Sequence, residues 1–476
     1  MRRPFAVRDA VPLGSAGSTR LLDEIQRRLG EGMGGPELRS LLTRSGVRYV
    51  VVRNDLRLDA QGDPSIAVHQ SLAQSGIDRV AEFGPPTGSH VEDLTRTVDE
   101  RTLVPYPSVE IYDVGATPDV SVVPRSQLVT ATAGPEDVGE LAQLYGGDGA
   151  AVLGSDARGH ENLLATAPGV LTDGQRRREV FYGRATHNTS QVLAANDPGP
   201  EHRRSMDYVS DPRAGETTLL LAGVESVLAS SSASDANASL RLGTAYSPAA
   251  AVDGDPGTRW VSGRFGRAGG EWLEVRFTRP VDVSTIGLEL SDKSPVGAAP
   301  RSVAVTTDRG TRSATVDGSV AFQTLQTAAG LTRRVRVTDT SVSAGPENGF
   351  SIAELSIPGV NPVASLSLPA SSQPSVDAIL MRDQLPGRSS CLHVGDRPLC
   401  RASAGLVAEE SPGLRRRFIL PAERTYTFSG EVLPRDGGDL EKLLANPSVI
   451  SAAASSRAVT APEGRPGAAV DNNLST

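Results

Sequence analysis

One short segment constrains this chain more than any other, because it occurs twice. Ala250-Ala-Val-Asp-Gly-Asp-Pro-Gly-Thr258 matches Ala468-Ala-Val-Asp-Asn-Asn-Leu-Ser-Thr476, and small polar runs, Ser230-Ser-Ser-Ala-Ser and residues 451–456, lie upstream of each copy. A repeat of this kind marks one structural module used more than once. After the first copy, Leu273, Val275 and Phe277 alternate with polar neighbours, as do Ile286, Leu288 and Leu290, then Val303 and Val305, then Val335 and Val337. Period-two alternation cut by Gly, Pro and Ser turns predicts an antiparallel β-sandwich over residues 228–360. The second copy stops before any such strands, so residues 447–476 are expected to open a second, truncated module. The sequence then reads as part of a longer protein.

The flanking regions follow other rules. In residues 1–215 helical spacing alternates with strand-like runs. Leu21, Leu22, Ile25 and Leu29 predict a helix over 19–29, Pro36 opens another over 37–44 that Gly46 stops, and 64–74 and 136–145 are also helical. Strands are expected at 47–53, 109–114, 127–132 and 150–153, giving an N-terminal α/β domain. A strand-like run over 219–228 leads into the sandwich. Residues 361–446 read as a further β-rich segment, with strands at 417–420 and 425–432. The expected fold class is multi-domain α+β.

Composition narrows the function. With 48 basic and 56 acidic side chains the net charge is −8, which gives no phosphate-neutralising surface and argues against nucleic acid. No apolar run reaches the roughly 18–20 residues of a membrane span. Cys391 and Cys400 flank a turn marked by Gly395, Asp396 and Pro398, a spacing open to a disulfide, favoured here, or to two free buried thiols. Gly30-Glu-Gly-Met-Gly-Gly35 follows a helix and precedes a proline, so it lacks the strand-loop-helix setting of a dinucleotide site. The six histidines show no metal-ligand spacing, and no nucleophile elbow occurs. Arg53, Asn54 and Asp55 end a strand, where a structural role is favoured. No catalytic residue is identified.

Asp253, Asp255 and Thr258 sit in a Gly/Pro turn, where their oxygens can converge on a hard cation or simply stabilise the turn. This segment with Arg259-Trp260, followed by Glu271-Trp-Leu-Glu-Val-Arg-Phe277 and Phe350-Ser-Ile-Ala-Glu-Leu-Ser-Ile357, resembles the discoidin, or factor 5/8 type C, family, related to family 32 carbohydrate-binding modules. The resemblance implies a jelly-roll sandwich and a structural Ca²⁺ held by Asp253, Asp255, Thr258 and the late carboxylate Glu354. It implies ligand contacts from loops at one end, with Arg264 and Arg267 as carbohydrate-binding candidates. Trp260 and Trp272, the two tryptophans, read as core or core-edge residues, with a sugar platform at Trp272 as the alternative.

Phe5-Ala-Val-Arg-Asp-Ala-Val-Pro-Leu-Gly14, Gly46-Val-Arg-Tyr-Val-Val-Val-Arg-Asn-Asp-Leu56 and Tyr182-Gly-Arg-Ala-Thr-His187, joined to a discoidin-like module, are similar to the actinobacterial α-(1→3)-arabinofuranosyltransferases. That resemblance implies an extracytoplasmic region attached to the membrane through N-terminal spans absent from this sequence. It would bind cell-wall arabinan or arabinogalactan as a pentosyltransferase acceptor. A free-standing discoidin-type adhesion or lipid-binding protein is the alternative.

Overall fold

The computed structural model describes residues 6, 16–56, 64–87, 105–116, 122–145, 150–154, 156–157, 159, 161–178, 190–197, 215–235, 238, 242–255, 258–264, 268–290, 300–341, 349–371, 373–382, 391–394, 397–400, 413–431, 452–456 and 465–470. The expected multi-domain α+β architecture is present. Helices Ala16–Glu31, Pro36–Arg44 and Pro64–Gln74 pack on a three-stranded antiparallel sheet in which Tyr106–Asp113 lies between Tyr49–Arg53 and Asp78–Thr87. Leu38, Leu41, Leu42, Leu72, Val52 and Tyr112 form the buried core between them. The strand Asp78–Thr87 escapes sequence reading because it carries Gly84-Pro-Pro, a turn signal that here coincides with a register break between Phe83 and Pro86.

A second, parallel sheet follows. Leu128–Thr132 pairs with Ala150–Leu153 across the helix Val138–Leu144, the crossover that parallel neighbours require. Gly169–Thr172 lies on the other side of Leu128–Thr132, and the fourth strand, Val376–Leu380, enters from far down the chain to pair with it. Among the described residues of 361–446 the strands are shared out among other sheets. Ala364–Ser367 joins the sandwich sheet, Val376–Leu380 completes the parallel sheet, and Cys391–Val394 with Arg397–Cys400 forms a hairpin. The strand expected at 425–432 is a correction: residues 425–431 enter no ladder, and at 417–420 only Arg416–Arg417 pairs. The tail instead docks by side chains, Tyr426 Oη donating to the Val376 carbonyl at 2.8 Å.

The sandwich is built on two long strands, Trp272–Leu290 and Phe322–Asp339, paired antiparallel with breaks between Arg276 and Val281 and between Val283 and Thr285. The first half of Trp272–Leu290 pairs with Val224–Ala229 and the second with Ser351–Ser356. The sheet thereby folds over one core that includes Val275, Phe277, Ile286, Leu288, Val305, Val337, Trp260, Phe350 and Leu355. Each fully buried large apolar side chain contributes about 1.5–3 kcal/mol. The run expected as one strand at 219–228 is two, Thr218–Leu221 and Val224–Ala229, turned by Gly223 at φ 78°. The repeat is visible in the backbone, because Pro248–Ala251 and Pro466–Val470 start the same 3-10 turn at matching positions. Among the described residues no helix is long and apolar enough to cross a membrane.

Candidate functional site

The loop after Pro248–Ala251 is organised by its own polar atoms. The Asp255 N–H donates to Asp253 Oδ1 at 2.9 Å, and the Thr258 hydroxyl contacts both Asp253 oxygens at 3.0 and 2.9 Å and the Asp255 carbonyl at 3.0 Å. Asp, Gly and Thr at these positions close an Asx-type turn. Glu354 arrives from the strand Ser351–Ser356, opposite Glu289, and takes a hydrogen bond from the Gly254 N–H. The four residues expected together, Asp253, Asp255, Thr258 and Glu354, thus share one corner of the sandwich. They are not closed into a coordination shell: among the described residues no three acidic, His or Cys side chains are grouped as metal ligands.

The electrostatics of this corner are those of uncompensated negative charge. Burial, then the nearby Asp253 carboxylate, push Glu354 up to about 7, and burial also raises Asp253. Glu354 Oε2 is buried without a hydrogen-bond partner. A buried acceptor of this kind is costly unless something positive or protic meets it. Hard oxygen donors, an orphaned carboxylate oxygen and crowded like charges fit a divalent cation such as Ca²⁺ by chemistry.

At the start of the strand Trp272–Leu290, Glu271 is buried and accepts from the Ser230 hydroxyl at 2.6 Å and from Ser231, while the Gly263 N–H donates to Ser231 Oγ at 2.9 Å. Arg264, 72% exposed, reaches Glu271 at 3.3 Å, so its guanidinium faces solvent over an anchored base. Arg267 lies outside the described residues. Trp260 is wholly buried, edge-on to Phe350 at 5.2 Å, with Nε1 donating to the Ser231 carbonyl at 3.1 Å. It is a core residue. Trp272 is half-buried, and the Arg336 guanidinium lies 3.9 Å from its ring centroid. The Ser230 to Ser234 run, which the sequence shows only as a small polar stretch upstream of the repeat, supplies the hydroxyls that fix this loop.

Of two further polar clusters, the sequence singled out only Asn54. Glu110, fully buried, receives Arg79 at 2.6 Å, Asn54 at 2.9 Å and the His69 ring, which stacks on Tyr106 at 3.7 Å. This gives Asn54 the structural role expected at the strand end. Arg382 ties Glu24, Glu140 and Asp137 together at 3.1, 2.7 and 3.6 Å. Cys391 and Cys400 stand opposite each other in the register of their hairpin.

Two family models match the chain in tandem. Residues 1–206 match the N-terminal GT-C domain of alpha-(1->3)-arabinofuranosyltransferase, and residues 229–374 match the third carbohydrate binding module of arabinofuranosyltransferase D. Over nearly its whole length the chain is similar to the alpha-(1->3)-arabinofuranosyltransferases. It is 33% identical over 95% of its length to the Mycobacterium tuberculosis member and 32% identical over 94% to that of Mycolicibacterium smegmatis. It spans about a third of each relative, 33% in both cases. The cryo-EM structure of the arabinofuranosyltransferase AftD from mycobacteria superposes on 98% of this chain and 36% of its own, with TM-score 0.73 and 29% identity. The N-terminal α/β part therefore aligns with a glycosyltransferase-domain model and the sandwich with a carbohydrate-binding one.

Proposed function

We propose that this chain is the extracytoplasmic, carbohydrate-binding portion of an arabinofuranosyltransferase of cell-wall synthesis. It holds arabinan or arabinogalactan near an active site embedded in the membrane by another part of the enzyme. The observation that carries this reading is the tandem match, a GT-C domain model on residues 1–206 and a carbohydrate-binding-module model on 229–374. Val376–Leu380, beyond the sandwich, pairs with Gly169–Thr172, which fastens the binding module to the domain before it. Tethering of this kind raises the local acceptor concentration, so affinity in the millimolar range suffices.

Within the module, Asp253, Asp255, Thr258 and Glu354 would hold a structural Ca²⁺, and Arg264, with Arg267, would contact the glycan. The charge crowding at Glu354 supports the ion, and the exposure of Arg264 over Glu271 supports the contact. Cys391 and Cys400 would close a disulfide, in keeping with an oxidising compartment. The test is calorimetric titration of the chain with arabinan fragments, with phosphatidylserine vesicles as the comparison. Saturable arabinan binding weakened by Arg264→Ala is expected. Vesicle binding without arabinan binding would replace this reading with a stand-alone lipid-binding one.

A further inference from the structure

The outward face of the sandwich sheet carries a second feature, on the half of the long strand away from Glu354. The register sets Glu274 opposite Arg336 and Arg276 opposite Arg334, while Leu273, Val275, Val335 and Val337 point into the core. Glu274 lies on the outer face yet its side chain is 0% exposed, because guanidinium groups roof it. Arg276 Nε donates to Glu274 Oε1 at 2.8 Å, Arg336 Nε donates to Oε2 at 2.8 Å, and Arg334 Nη1 stands 3.5 Å from Oε2. Arg334 is shared with Asp308 at 3.0 Å. Three guanidinium groups thus face two carboxylates, a local positive excess on a chain whose net charge is −8.

The atoms used in this pairing matter more than the count. Glu274 engages the Nε of both Arg276 and Arg336, so their terminal Nη groups have no hydrogen-bond acceptor among the described residues. These side chains remain 47% and 31% exposed. Stacking on Trp272 fixes the plane of the Arg336 fork. Two oriented forks with free N–H groups are a preorganised receptor for a planar or tetrahedral oxyanion. On the side of Arg336 away from Glu274 the face is polar: Thr306 lies opposite both Arg336 and Thr311, and the two threonine hydroxyls meet at 2.9 Å.

We propose that this sheet face binds an anionic glycan, seating a carboxylate or phosphate-ester group between the Nη atoms of Arg276 and Arg336. The polymer is favoured over a membrane because the sheet lies within residues 229–374, which match a carbohydrate-binding module, and because the aromatic ring beside the forks, Trp272, is half-buried under Arg336 and so is not offered to lipid. This surface is distinct from the loop-end contact proposed above and does not depend on it.

The test titrates the chain at low salt with polygalacturonate and with a phosphomannan, and in parallel with neutral arabinan and phosphatidylglycerol vesicles. At least one anionic polysaccharide is expected to bind in a salt-sensitive manner, the responder telling carboxylate from phosphate ester. Arg276→Lys with Arg336→Lys keeps the charge but removes the forks, and should weaken that binding about tenfold or more. Thr311→Glu, which leaves the Glu274 network intact, should weaken it as well, with an unchanged melting profile. Neutral arabinan should bind both variants as it binds the parent. Binding to neither anionic polymer, equal binding by the variants, or binding to vesicles alone would overturn the proposal.

Discussion

Arg382 Nη1 meets Glu24 Oε1 at 3.1 Å although 358 residues separate them in the chain. The same guanidinium reaches Glu140, the Asp173 carboxylate accepts the Arg382 backbone N–H at 2.9 Å, and the Arg382 carbonyl accepts from Arg176 at 2.7 Å. The strand Val376–Leu380 is therefore locked to the N-terminal domain by a buried ionic junction as well as by its ladder. Removing Arg382 leaves buried Asp137 without a guanidinium, although Glu24 and Glu140 keep Arg27 and Arg28, and loss of one partner of a buried pair costs up to about 3–5 kcal/mol. Arg382→Ala is expected to lower stability by that amount in a denaturant titration, and a full-length variant with parental stability would contradict the clamp.

The carboxylate corner predicts a pH signature. Glu354 is raised from 4.5 to about 7, so the folded state holds a proton that the unfolded state has released. The contribution of Glu354 to metal-free stability is then fully present below pH 4.5 and is lost as pH rises towards 7, the opposite of the lowered carboxylates Glu24, Glu110 and Glu274. Glu354→Gln should flatten this slope. If Ca²⁺ sits there, adding it should raise the melting temperature of the parent at pH 7.5 and leave that of Glu354→Gln nearly unmoved. A parent indifferent to both calcium and chelator would remove the ion from the account.

Opposed register at Cys391 and Cys400 permits a cross-strand bridge that closes a short loop. Such a bridge contributes about 2–4 kcal/mol. Protein purified from an oxidising compartment should show no thiol titratable in denaturant before reduction and two afterwards. Two thiols before reduction would establish the free-cysteine reading.

Gly34 provides a packing test. A Cβ there would lie 2.0 Å from the Ser71 carbonyl oxygen, a backbone atom that cannot turn aside. Ser71 itself bonds the Arg28 carbonyl at 2.9 Å, so the helices Ala16–Glu31 and Pro64–Gln74 are held close at this point. Gly34→Ala is expected to destabilise the domain by about 1–3 kcal/mol, measured by thermal unfolding. Gly46→Ala, open around its Cβ but at φ 70°, isolates the cost of backbone strain alone.

The amino-acid sequence by itself determined what short-range patterns encode. Helix bounds at Pro36–Arg44 and Pro64–Gln74 follow from proline starts and apolar spacing, and Ala150–Leu153 from a compact apolar run. The alternating strands of the sandwich and the Asp253 to Thr258 turn were legible for the same reason, since each is decided by neighbours within a few residues. Glu354 was reached through family resemblance, not through spacing.

Only the tertiary structure decided where distant segments meet. Val376–Leu380 carries the pattern of any short strand, and nothing local says that its partner is Gly169–Thr172. Glu274 and Arg276 look like ordinary surface charges until pairing sets Arg336 and Arg334 across from them. Side-chain periodicity fixes which face a residue takes, whereas the choice of partner strand depends on loop closure and on the shared core. The ionic junction at Arg382 and the paired forks of Arg276 and Arg336 are products of that second choice.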